Sequence, residues 1–84
     1  MTLYVAGASR RSLRAVDNVR DFCERELADN YDLEVVDLYR DPEQARDAQI
    51  IAAPTLLRHE PTPPRRVIGD MSDRDQLRAA IKVI

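Results

Sequence analysis

Cys23 is the single cysteine in this chain of 84 residues. One thiol can form no internal disulfide and no multi-cysteine metal site. The chain has no tryptophan, two glycines and one histidine, His59, and a lone histidine without a thiol or imidazole partner is a poor metal ligand, so it reads as an exposed residue at a strand end. Lys82 is the only lysine; the other basic residues are arginines, interleaved with carboxylates to a net charge of −2. That balance offers no electrostatic footprint for nucleic acid, and interleaved charge is the signature of a solvated face. No apolar run approaches the ~20 residues that span a bilayer, and the strand pattern begins at once, without the pattern of a signal peptide. These absences point to a cytoplasmic globular module, one domain over residues 1–84, too small to enclose a large substrate cavity. The proline-rich patch "EPTPPRR" from Glu60 is too short for a linker and reads as a turn.

What is present is a regular alternation of elements. Leu3 to Ala6 is a short apolar run, expected to be a strand buried on both faces and stopped by Gly7. Ser9 or Ser12 can cap the helix that follows, which carries Val16, Val19, Cys23 and Leu27 on one stripe and runs to near Asn30. "LEVVDL", Leu33 to Leu38, is a second strand. Asp41 as a cap, Pro42 at the first helical position and Gln44 at capping-box spacing start a second helix, with Ala45, Ala48 and Ile51 toward the sheet. "APTLLRH" and "RRVIGD" read as two strands of a hairpin ended by Gly69 and Asp70. Ser72 offers the cap of a last helix, with Leu77, Ala80, Ile81 and Ile84 on one face. The order is β-α-β-α-β-β-α, and the initial strand-helix-strand unit implies a parallel pair. This is the thioredoxin-like layout with a mixed four-stranded sheet.

In such a layout the first strand-helix junction would carry a Cys-x-x-Cys pair, but here it reads Ser9-Arg10-Arg11-Ser12. A serine hydroxyl cannot replace a thiolate in disulfide exchange. Cys23 falls in mid-helix on the apolar stripe, as a small core hydrophobe would. Thiol redox catalysis is therefore not expected, and no catalytic, cofactor-binding or metal-binding residue is assigned. An anion-binding loop is physically reasonable, since the two arginines precede a helix N-terminus, but "GASRRS" fits neither phosphate-loop glycine pattern. Pro54, in Ala53-Pro54-Thr55, occupies the position of a proline that is often cis in thioredoxin-like proteins and shapes the start of the third strand. Arg65 and Arg66 either brace the hairpin or meet a partner. Tyr4, Tyr31 and Tyr39 are expected to be half-buried, hydroxyls toward solvent.

The blocks "LYVAG", "VVDLYRDPEQA", "IIAAPTLLR" and "PPRRVIGDMSDR" resemble the KaiB family over nearly the whole chain. The resemblance implies a non-enzymatic regulator that takes no cofactor. Its thioredoxin-like form would bind a KaiC-type ATPase, displacing a kinase and recruiting a phosphatase. In clock members a second form, with the C-terminal half rearranged, self-associates and cannot bind. The family also includes the sensor domain of a clock-associated histidine kinase, so a KaiB-like adaptor in stress response or signalling is the alternative reading. By the same resemblance Arg14, Glu34, Gln49 and Arg66 are candidate partner contacts, with Glu34 and Gln49 standing where basic residues are expected. Pro54, Gly69, Asp70, Ala80 and Lys82 are the candidate fold-determining positions. Ala80 replaces a glycine, favouring helix by roughly 1 kcal/mol, and Lys82 in the last turn complements the helix dipole by roughly 0.3–1 kcal/mol. Both favour the thioredoxin-like form over the alternative KaiB ground-state fold and argue against active fold switching. Unpaired edge strands leave a homo-oligomer open, monomer or dimer being favoured.

Overall fold

Alternation along the first strand, β1 (Thr2–Val5), places Leu3 and Val5 on one side and Thr2 and Tyr4 on the other, and all four are buried. The apolar run is therefore a strand covered on both faces, as its composition implies. β1 pairs in parallel with β2 (Glu34–Asp37) and antiparallel with β3 (Thr55–Arg58), which pairs antiparallel with β4 (Arg65–Ile68). Strand order is β2-β1-β3-β4. Three helices, α1 (Arg10–Glu26), α2 (Pro42–Asp47) and α3 (Arg74–Ile81), complete the order βαβαββα. The structure is a computed structural model and describes residues 1–28, 30–50 and 53–81. Lys82, Ile84 and Ile51 lie outside the described residues.

Strand register sorts the side chains into two layers. Leu3, Val5, Leu56 and Val67 meet Ala15, Val19, Phe22 and Cys23 of α1, together with Met71 and Leu77, Ala80 and Ile81 of α3, in the main core. On the opposite face Tyr4, Val36 and Leu57 form a smaller cluster, bordered by Leu38, Ala48 and Ile50. One sheet face is thus covered by two helices, and the other is only partly covered, by Leu38 and by Ala48 and Ile50 of the loop behind α2.

Local chemistry sets the helix ends. Ser9, in extended conformation, caps α1: its hydroxyl accepts from the Ser12 amide at 3.2 Å. Ser12 turns inward, and its Oγ accepts from the Ala6 amide at 3.0 Å and from the Ser9 hydroxyl at 2.9 Å. The helix stops at Glu26 rather than near Asn30, because Ala28 takes a left-handed φ of 51° and the Leu27 amide closes on the Cys23 carbonyl. The buried stripe is also rotated from the one expected: Ser12, Ala15, Val19, Phe22 and Cys23 are buried, while Val16 and Leu27 are half-buried. Pro42 does open α2, but the Asp41 carboxylate accepts from the Gln44 side chain at 2.6 Å and caps no backbone amide. In α3 the cap is Asp73, not Ser72. Asp73 Oδ1 accepts from the Gln76 amide at 3.1 Å, while the Ser72 amide is turned back to Asp70 Oδ1 at 3.0 Å. Met71, at φ 64°, supplies the extra reversal that buries its own side chain and delays the helix by a residue.

Gly7 has φ +60°, and a Cβ there would stand 3.0 Å from the Tyr39 ring, so this position needs both the left-handed backbone and the missing side chain. Tyr39 covers that glycine yet remains 77% exposed, and Tyr4 is fully buried; of the three tyrosines, Tyr31 alone is half-buried as expected.

Candidate docking face

The junction after β1 holds no nucleophile. Ser9 and Ser12 are engaged in capping, and Cys23 is buried farther along the same helix, in the core against the sheet. Desolvation by burial pushes the Cys23 thiol from 9.0 up to about 11, the nearby Glu24 carboxylate adding to the rise and the N-terminal amine opposing it. A thiol this protonated is a poor nucleophile. Because the folded state holds its proton more tightly than the unfolded state, the associated stability is complete below pH 9 and is lost as pH rises through about 11. We expect a denaturant midpoint that falls between these limits in the wild type and falls less in Cys23→Ala, and a thiol that reacts with Ellman's reagent at the rate of unfolding.

The sheet face away from α1 and α3 has a different character. Register places Thr2 and Tyr4 of β1, Glu34 and Val36 of β2, Leu57 of β3 and Arg66 of β4 on it. A groove of about 390 Å³ opens there, lined by Tyr4, Gln44, Asp47, Ala48, Leu57 and His59. Thr2 Oγ1 and His59 Nε2 share a hydrogen bond of 2.8 Å, which holds the exposed imidazole over the strand end. Burial raises the Tyr4 pKa, with Glu34 adding to the rise and Arg66 and the Thr2 hydroxyl opposing it. Arg66 donates to the carbonyls of Ala48 at 2.6 Å and Gln49 at 3.2 Å, and so ties β4 to the loop behind α2. Gln49 reverses that loop with φ 57°.

Glu34, Gln49 and Arg66 therefore share one side of the molecule, Arg66 touching Gln49 directly. Arg14 does not join them. It lies on α1, 3.7 Å from the Asp70 carboxylate. Pro54, Gly69 and Asp70 meet at that end: the Gly69 amide donates to the Pro54 carbonyl at 3.0 Å, and the Asn18 side chain donates to the Asp70 carbonyl at 2.9 Å. The Ala53–Pro54 bond is cis. The Ser72 amide and hydroxyl beside the Asp70 carboxyl hold its pKa below the usual range, helped by Arg14 and Arg11. Ala80 is buried at the end of α3.

Arg58 was not singled out by sequence, although it is 5% exposed. Its Nη1 donates to the Ala80 carbonyl at 2.7 Å, and its Nη2 to the Pro61 and Pro63 carbonyls at 2.9 and 2.8 Å. An arginine in the otherwise apolar "TLLR" was the available signal, because a strand covered on both faces leaves its charge nowhere to go but onto backbone acceptors. Among the described residues no group of three or more His, Cys, Asp or Glu could hold a metal ion, and no helix is long and apolar enough to cross a membrane.

A mixed four-stranded sheet with three helices, and serines where thiols would stand, make this a thioredoxin-like α/β protein. Residues 2–83 match the KaiB domain, and the chain belongs to the KaiB family. It is 33% identical over 84 residues to circadian clock protein KaiB3 of Synechocystis sp., covering 100% of this chain and 82% of that relative. It is 43% identical over 77 residues to the circadian clock oscillator protein KaiB of one Prochlorococcus marinus strain, covering 92% of this chain and 65% of the relative. Against the KaiB of a second strain it is 42% identical over 77 residues, 92% of this chain and 73% of the relative.

Proposed function

We propose that this chain is a clock-related regulator that works by binding, without catalysis of its own, and that its partner is a KaiC-type ATPase. The observation that carries the reading is the KaiB match, which runs through every strand and helix described. The geometry supplies a surface for it. Glu34, Gln49 and Arg66 lie at or beside the open sheet face, and the groove between β1 and α2 offers an apolar floor with polar walls. Arg14, on the opposite layer, is a contact only if the partner reaches round the end of the sheet. The protein acts in the cytoplasm as a single module, monomeric or dimeric, and a histidine kinase that shares the fold would compete for the same ATPase face.

Charge at a docking rim sets on-rate and partner choice. The test is co-elution of the chain with the KaiC-type ATPase encoded in the same genome, in the presence of ATP, followed by titration. Glu34→Lys and Gln49→Lys should change the association rate at least threefold while leaving the far-ultraviolet circular dichroism unaltered. Absence of a complex at tens of micromolar would refute the ATPase as partner.

A further inference from the structure

β4 ends the strand order β2-β1-β3-β4, so one side of its backbone faces no other described strand. The Gly69 amide donates to the Pro54 carbonyl at 3.0 Å, which fixes the phase of the β3–β4 ladder. In that register Val67 and Arg65 exchange hydrogen bonds with Leu56 and Arg58, while Arg66 and Ile68 turn their N–H and C=O groups outward. A groove of about 180 Å³ runs beside this edge, lined by Arg65, Arg66, Val67, Gln76, Ala79 and Ala80. Val67 faces the helix layer, and Arg65, two residues before it, shares that side; Arg66 and Ile68 lie on the other. Ala79 is exposed on α3, and its small side chain leaves the groove open.

Charge decides what this edge can accept. Among the described residues no carboxylate lines the groove, and no ion pair includes Arg65 or Arg66. Arg66 spends its donors on the Ala48 and Gln49 carbonyls, which are neutral, so its charge stays uncompensated. Two exposed arginines on a short edge strand repel a second basic strand, and the same charges are complementary to an acidic one. An open edge gives main-chain hydrogen bonds to an added strand, and a groove beside it selects alternate side chains. We propose that the outer edge of β4 and the groove beside α3 dock an extended acidic segment of another protein. The segment adds as a fifth strand, with carboxylates beside Arg65 and Arg66 and small apolar side chains over Val67 and Ala79.

NMR titration of the full chain with two synthetic peptides tests this, one alternating glutamate with valine and the other lysine with valine. The glutamate peptide at about 1 mM should shift the amides of Arg66, Ile68 and Ala79, and slow hydrogen exchange at Arg66 and Ile68 roughly threefold or more. The lysine peptide should bind roughly tenfold more weakly, and Arg65→Glu should narrow that gap. Ile68→Pro removes one outward donor and no ladder bond, and Ala79→Leu fills the groove from an exposed position. Each should weaken the glutamate peptide roughly fivefold with the far-ultraviolet circular dichroism unaltered. Equal binding of the two peptides would overturn charge as the selector. No shift at β4, or shifts confined to Tyr4, Leu57 and His59, would overturn the edge as the site. Edge shifts that grow with protein concentration without peptide would make the occupant a second copy and overturn the acidic segment. These outcomes are read without the ATPase, so they are independent of whether it binds.

Discussion

Arg58→Met is expected to lower the unfolding free energy by about 2–4 kcal/mol, because it strips the donor from three carbonyls at once. Methionine fills much of the same space, so the loss is one of hydrogen bonds rather than volume. The Ala80 carbonyl belongs to the last turn of α3 and has no later amide of the described helix to accept from; the Pro61 and Pro63 carbonyls belong to the turn between β3 and β4. One guanidinium thus joins the hairpin turn to the end of the last helix. Buried acceptors left unpaired cost about 1–3 kcal/mol each, and the two prolyl carbonyls regain part of that from water. Arg58 Nε is buried without a partner among the described residues, and the expected loss is set below the sum for three bonds. Arg58→Lys should fall between, since an ammonium reaches one or two of these oxygens but lacks the planar fork. Arg66→Met is the informative comparison: its guanidinium also meets two carbonyls, but at an exposed site, and the cost should stay below about 1 kcal/mol. Urea unfolding of the three variants checks the order. Equal losses at positions 58 and 66 would mean that burial does not set the cost.

Phe22→Ala should be as damaging or more so, by about 3–5 kcal/mol. Phe22 is fully buried on α1 where that helix meets both the sheet and α3, and its removal opens a cavity between layers that cannot close without shifting a helix. A domain of this size has a total stability of only ~4–13 kcal/mol, so the variant should lose about a quarter or more of it and melt at a clearly lower temperature. Leu13→Ala, on the same helix but 54% exposed, should change stability by no more than about 0.5 kcal/mol. The contrast in thermal melts separates burial from helix propensity, which both changes raise, since alanine is the strongest helix former.

Much of the fold was readable where a single residue type has a single physical use. Pro42 at a helix start, Gly7 after an apolar run and a β-branched "EVVD" each allow few conformations, and each lies where expected. Cap identity was less readable. Ser72 and Asp73 both satisfy the chemistry of an N-cap, and the choice was made by Met71, which must turn inward to reach the core. The rotation of the α1 stripe was hidden for a similar reason: Val16 and Phe22 are both apolar, and only docking against α3 decides which is covered. The docking face was partly legible. Glu34, Gln49 and Arg66 were named, but the groove between Tyr4, Asp47 and His59 arises from strand register, which brings together residues that are far apart in the chain. Arg58 was legible only from its place in a buried strand, because arginine in sequence otherwise looks like surface, and three converging carbonyls make it a core residue.

The central claim is that the chain presents this face in the thioredoxin-like arrangement, and the backbone of its second half tests it most directly. NMR chemical shifts and cross-strand amide contacts should be measured from Ala53 to Ile81. The account requires extended shifts for Thr55–Arg58 and Arg65–Ile68, contacts joining Thr55 with Ile68 and Leu57 with Arg66, helical shifts for Arg74–Ile81, and one set of resonances. Helical shifts through residues 55–64 with a strand near the C-terminus would contradict it. The open sheet face would then belong to a minor form of the protein.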